Sequence, residues 1–145
     1  RFELFLLIKD KYPLVRFPVL QHQSSQLGLS ANLGEGSVLM PFSNVGAESN
    51  IGACCIVGTS SSLDHGGIMN VCSSIGPGVV CGGGVSIGDC SAIGIGSSIK
   101  HDVVIGSDVV VGGNSFVCRD LVDCVVAYGT PAKVAGKRAR GQPYF

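Results

Sequence analysis

The chain contains no tryptophan, three tyrosines and six phenylalanines among 145 residues, and only 14% of its residues are charged. A core built around large aromatic side chains is therefore excluded. Neither sign of charge dominates. Ten basic residues against ten acidic ones leave a formal net charge of zero, without the basic footprint of a nucleic-acid-binding surface. No apolar run approaches the ~18 residues needed to cross a bilayer as a helix. The apolar opening at residues 2–8 carries Glu3 and lacks a small-residue cleavage site, so it does not read as a signal peptide. The seven cysteines are odd in number and include no Cys-x-x-Cys pair. They are expected to be reduced thiols of a cytoplasmic protein rather than a disulfide framework. Starting at Arg1 rather than Met, the chain reads as a fragment or trimmed product.

What is present in excess is glycine, 22 of 145 residues, together with a hydrophobic fraction of 46%. That glycine share is about twice the average, and it points to tightly wound repeated turns. The repeat itself is found by stepping six residues at a time from Leu27 through Leu33, Leu39, Val45, Ile51, Val57, Leu63, Met69, Ile75, Cys81, Ile87, Ile93, Ile99, Ile105 and Val111 to Val117. All sixteen are hydrophobic; at the overall hydrophobic frequency, such a run has a chance of about four in a million. Glycine follows the aliphatic residue in eleven of the sixteen hexads, and the fourth residue after it is small or β-branched except at Gly67 and Leu121.

A strand has period two, so a period of six requires the chain to bend once per hexad. The aliphatic residue fills an interior, and the glycine serves a close approach or an unusual corner angle. The small residue packs under the next rung. Three hexads make a triangular coil of eighteen residues. The expected fold is all-β, a left-handed parallel β-helix of a little over five coils, with a short N-terminal helix and a C-terminal tail. Residues 1–22 read as a helix ended by Pro13 followed by a short strand over 14–20, residues 23–128 as the β-helix, and residues 129–145 as a closing segment with a basic tail.

Several motifs on this frame resemble the hexapeptide-repeat acyltransferases, in particular the sialic acid O-acetyltransferase and nucleotide-amino-sugar N-acetyltransferase group. Leu63-Asp64-His65 resembles the rung that carries that group's catalytic histidine. The run from Ile75-Gly76-Pro77-Gly78 to Val85-Ser86-Ile87-Gly88 follows its pattern, and Gly129-Thr130-Pro131-Ala132-Lys133 matches its closing G-x-P-A-K. Phe17-Pro18-Val19-Leu20-Gln21-His22 resembles the segment that enters the first coil. The resemblance covers nearly the whole chain, with two departures. The group's N-terminal Rossmann-like subdomain is represented only by what resembles its last helix and strand. Gly66 also stands where an acidic residue commonly follows the histidine.

The resemblance implies an acetyl-CoA-dependent acetyltransferase acting on an amine or hydroxyl of a sugar or nucleotide-sugar acceptor, working as a homotrimer with sites between chains. Such chemistry needs a base for the acceptor's proton and a donor for the developing oxyanion. His65 is the candidate base, and Asp64 is either its orienting partner or a turn former. The Gly83 amide is the candidate oxyanion donor. Ile95, Gly113, Gly129, Pro131, Ala132 and Lys133 are expected at the acetyl-CoA site, and Asn70 and Ser74 near the acceptor. Lys137, Arg138 and Arg140 form a basic end that either meets CoA phosphates or is a solvated tail. No metal is expected. His65 and His101 share a column two coils apart, at ~10 Å, and the H-x4-H pair of the related γ-carbonic anhydrases is absent. Cys54, Cys72 and Cys90 also share a column. A non-catalytic trimeric scaffold that still binds CoA is the alternative reading.

Overall fold

The hexad of the sequence is, in three dimensions, a two-residue strand followed by a four-residue corner. The computed structural model, which describes residues 2–143, repeats that unit along nearly the whole chain. Ser62–Leu63 is a strand, residues 64–67 turn a corner, and Ile68–Met69 is the next strand. Each strand pairs in parallel with the one eighteen residues on, as in Ser62 with Val80, Ile68 with Ser86 and Ser74 with Ala92. Three sheets result. The first face has eight strands, from Leu20–Gln21 to Val125–Gly129 and Ala132–Lys137. The second has six, from Gln26–Leu27 to Phe116–Val117, and the third five, from Asn32–Leu33 to Val104–Ile105.

The interior is a single column of stacked side chains. From Leu39 to Val117 the sixth-residue aliphatics are all buried, and Cys55, Val79, Val85, Val103 and Val109 fill the space between them. At several coils where the second interior position is serine, its hydroxyl knits one coil to the next. Ser37 Oγ donates to Gly52 O at 2.7 Å and accepts from Cys55 N at 3.1 Å; Ser91 does the same with Gly106 O and Val109 N. Such bonds satisfy hydroxyls that burial would otherwise penalise.

Where glycine follows the aliphatic residue, it serves close approach. A Cβ on Gly34 would lie 2.4 Å from Gly52 C, and one on Gly46 2.5 Å from His65 N. The unusual backbone angle belongs to a different residue, two positions later. Gly66, Gly78, Gly84 and Gly96 adopt positive φ there, and so do Phe42, Glu48, Cys54, Cys72, Cys90, Asp102 and Asn114.

The ends differ from the middle. At the N-terminus Phe2–Lys11 forms a helix with no buried residue, stopped by Pro13, which cannot continue it. Phe5 packs on Phe17 with ring centroids 5.2 Å apart, while Lys9 Nζ reaches Glu35 at 2.8 Å and Phe17 N donates to Glu35 Oε1 at 2.7 Å. Those two bonds hold the Glu35 carboxyl below its ordinary value. Of the expected strand over 14–20, only Leu20 is in a strand, where Leu20–Gln21 joins the first face against Val38–Leu39. Pro13 and Pro18 remove backbone donors from the stretch before it. At the C-terminus the winding continues past Val117 but tightens. Leu121 bridges Ile105, and Val126 and Ala127 pair with Val110 and Val111, a step of sixteen residues instead of eighteen. Val125–Gly129 then turns back antiparallel onto Ala132–Lys137.

Candidate active site

The corner between the second and third faces carries Asp64 and His65. Leu63 is anchored inside, so the two residues after it must turn outward, and both are exposed. Asp64 Oδ1 accepts from His65 N at 2.7 Å and lies 3.2 Å from His65 Nδ1. These bonds lower the Asp64 pKa, the backbone one most. With Nδ1 facing Asp64, Nε2 is the nitrogen left to act on another molecule.

One coil on, the same corner position is Gly83. A Cβ there would sit 2.4 Å from His65 Cε1 and 2.7 Å from Nε2, so the imidazole occupies the space that any other residue's side chain would need. Gly82 N and Gly84 N bond to Ile99 O and His65 O. Among the described residues, Gly83 N–H has no such acceptor, leaving it available to a ligand. The recess, of about 480 Å³, is lined by His65, Gly66, Gly83, Gly84, His101 and Asp102. Gly66, with φ +64° and nothing within 4 Å of a Cβ placed on it, fits a left-handed corner that an acidic residue would occupy under strain. In this chain the carboxylate in contact with the imidazole is the one before the histidine.

A larger groove of about 580 Å³ runs along the first face, where Ser74, Ile95 and Gly113 lie among Val38, Ile56, Ala92 and Val110. Ile95 is 61% exposed and its Cγ2 lies 3.1 Å from where a Cβ of Gly113 would be. The hairpin closed by Gly129, Thr130, Pro131 and Ala132 sits on the edge strand of this same face, with Gly129 N donating to Ser115 Oγ at 3.1 Å and Lys133 exposed. Asn70 is exposed at the corner between the third and first faces, away from His65. Arg138 is neither solvated nor available to a phosphate: it is 9% exposed and its guanidinium donates to Asp108 O and Gln142 O. Lys137 and Arg140 are exposed.

Thus the structure unites His65, Asp64 and Gly83, and separately gathers Ser74, Ile95 and Gly113 on another face. The first face is opposite the corner that bears His65, because that corner joins the other two faces. His101 and Asp102, which also line the recess, escaped sequence reasoning as site residues. Their signal was the eighteen-residue step from His65 through Gly83 to His101.

The sequence matches no protein-family model and no curated protein. Solved structures do match. PerB from Caulobacter crescentus, in complex with CoA and GDP-perosamine, is 34% identical with a TM-score of 0.88, over 94% of this chain and 66% of that one. The acetyltransferase domain of PglB from Neisseria gonorrhoeae, in complex with acetyl coenzyme A, is 30% identical with a TM-score of 0.86, over 91% and 65%. The chain belongs with the hexapeptide-repeat acyltransferases. WeeI from Acinetobacter baumannii, at 25% identity and a TM-score of 0.85, has the same fold. This hexapeptide-repeat chain spans about two thirds of the length of these structures (65% to 66%). No helix among its described residues is long and apolar enough to cross a membrane, and those residues include no group of three or more His, Cys, Asp or Glu placed to hold a metal ion.

Proposed function

We propose that this chain carries out acetyl transfer from acetyl-CoA to an amine or hydroxyl of a sugar-like acceptor, in the cytoplasm and as a homotrimer. The observation that carries the reading is the His65 imidazole laid over Gly83, a base beside an uncommitted backbone N–H. In this reading His65 Nε2 takes the proton of the attacking amine or hydroxyl. Asp64 holds Nδ1 and favours the imidazolium that forms. Gly83 N–H donates to the thioester oxygen as it gains negative charge. The acceptor atom bonds to the acyl carbon, the carbon–sulfur bond breaks, and the departing thiolate takes up a proton. No cysteine nucleophile is needed. Cys81, two residues before Gly83, has its thiol pushed up to about 12 by burial and stays protonated.

The groove suits the donor. An apolar slot lined by Ile56, Ile93, Ile95 and Val110, floored by Gly76, Gly94, Gly112 and Gly113, fits a long thin chain that bonds to backbone amides. The Gly129–Lys133 turn lies where Lys133 can reach a phosphate. Because recess and groove lie on opposite sides of one prism, a chain alone does not bring base and acyl donor together. Three prisms side by side, the His65 corner of each against the first face of the next, do so.

The test is calorimetric binding of acetyl-CoA to the wild type and to His65→Ala, followed by transfer to GDP-perosamine, the sugar bound by PerB. Binding by both, with transfer lower in the variant by roughly 10²–10⁴, is the expected result. Binding without transfer favours a CoA-binding scaffold. No binding sinks the acyl-CoA reading.

A further inference from the structure

The side of the recess opposite His65 is unaccounted for in that chemistry. Two consecutive glycines form the floor, and each is covered by a side chain from a different coil. From the preceding coil the imidazole of His65 covers Gly83. From the following coil the Asp102 carboxylate covers Gly84, its Oδ1 2.4 Å from where a Cβ of Gly84 would be. Asp102 takes φ 58°, and this left-handed conformation aims its short side chain back along the prism. Asn114, with φ 54°, leans over Gly96 in the same manner. Only glycine at position 84 leaves room for the carboxylate, and at Gly66, the equivalent position one coil back, the space is open, with nothing within 4 Å of a Cβ placed there.

From this geometry we infer that Asp102 is a specificity-determining residue of the acceptor site, holding the cationic form of a primary amine beside the base. The inference rests on the acyltransferase reading and narrows it from amines or hydroxyls to amines. An aliphatic amine arrives at neutral pH as ammonium, which donates three hydrogen bonds and carries a charge. A carboxylate attracts it, and a hydroxyl gains far less from the same partner. His65 then removes one proton to free the nitrogen lone pair, and the nitrogen gives up a second after attack as the departing thiolate becomes a thiol. Gly83 N–H receives the acyl oxygen, so one carboxylate, one base and one amide face a single nitrogen. His101, in the same recess, and Lys100 before it are the titratable groups next to Asp102 along the chain. Asp120, in the tightened next coil, accepts from Val104 N at 2.8 Å.

The probes are GDP-perosamine and the same nucleotide sugar with a hydroxyl replacing the amine, tested with acetyl-CoA on wild type, Asp102→Asn and Asp102→Glu. Asp102→Asn is expected to raise KM for the amine about tenfold at pH 7 while leaving kcat and the KM for acetyl-CoA largely unchanged. The deficit should shrink at pH values where the free amine is neutral, and Asp102→Glu should restore part of the affinity. An unchanged KM, or a loss equal at every pH, overturns the assignment. If the wild type transfers to neither probe, the acyltransferase reading fails for these acceptors, and binding measured by calorimetry decides the Asp102 assignment separately. A preference for the amine that Asp102→Asn abolishes supports it, and equal binding of amine and hydroxyl by the wild type overturns it.

Discussion

The recess at His65 and the groove at Ile95 use the same local construction. In each, the second residue after an interior aliphatic turns outward and lies over a glycine eighteen residues later: His65 over Gly83, Ile95 over Gly113. The backbone cannot distinguish the two corners. What distinguishes them is the side chain that the repeat leaves undetermined: an imidazole flanked by carboxylates in one place, an aliphatic group among glycines and valines in the other. The difference teaches that a rigid repeat offers equivalent outward positions, and that chemistry is written by choosing which of them face glycine. A polar corner with polar neighbours makes a charged recess; an apolar one among apolar neighbours makes a slot.

The sharpest way to break this comparison is to add a methyl group at each floor. In Gly83→Ala the new Cβ meets the ring of exposed His65 and nothing of the backbone within the three nearest atoms. Transfer should fall by about 10² or more while the thermal midpoint barely moves. Gly82→Ala, one residue earlier, meets His101 N at 2.8 Å, and calorimetric melting should show a loss of roughly 1–3 kcal/mol from overpacking against backbone. If the two substitutions have the same effect on stability, the division between structural and functional corner glycines fails. Gly113→Ala is next in size. Its Cβ requires Ile95 to yield by a few tenths of an ångström, so KM for acetyl-CoA should rise by about tenfold with the reaction at His65 otherwise intact.

The smallest effect lies outside both sites. Glu35 is held below its ordinary value of 4.5, first by its bond to Lys9 and then by Phe17 N–H. A carboxylate with a depressed folded-state pKa contributes its stability above the ordinary value and loses it as pH falls through the lowered one. The helix Phe2–Lys11 should therefore loosen on acidification below about pH 4.5, as read by amide exchange of its residues, before the prism responds. Glu35→Gln should show the loosened helix already at neutral pH, with transfer at His65 unaffected.

Much of this architecture was legible in the sequence because the interior column admits no exceptions: a polar residue at any sixth position would leave a buried group between two coils. The glycine after it was legible too, since a Cβ there strikes the next coil. The left-handed corner position was not. Phe42, Glu48, Cys54 and Asp102 share it with Gly66 and Gly84, so no residue type marks it, and the lean of Asp102 over Gly84 depends on that conformation. The tightened last coil was hidden for a different reason. Asp120 Oδ1 accepts from Val104 N at 2.8 Å, where the regular coils supply a backbone carbonyl, and Asp123 Oδ1 accepts from Ser107 N at 2.9 Å, so carboxylates tie the shortened coil to the one before it. The pairing of His65 with Gly83 could be found by counting eighteen residues, whereas the lean of Asp102 over Gly84 could not.

That tightened coil has a further meaning. A stack in which every rung presents the same edge to the next has no intrinsic length, and nothing in its geometry tells it where to stop or prevents a second molecule from continuing it. Dropping two residues shifts the last strand out of the common step, and the antiparallel return of Ala132–Lys137 covers the edge that a further parallel strand on the first face would have used. The closing hairpin is in this sense an end-mark: on the first face it occupies the edge on which another rung of the same kind would stack.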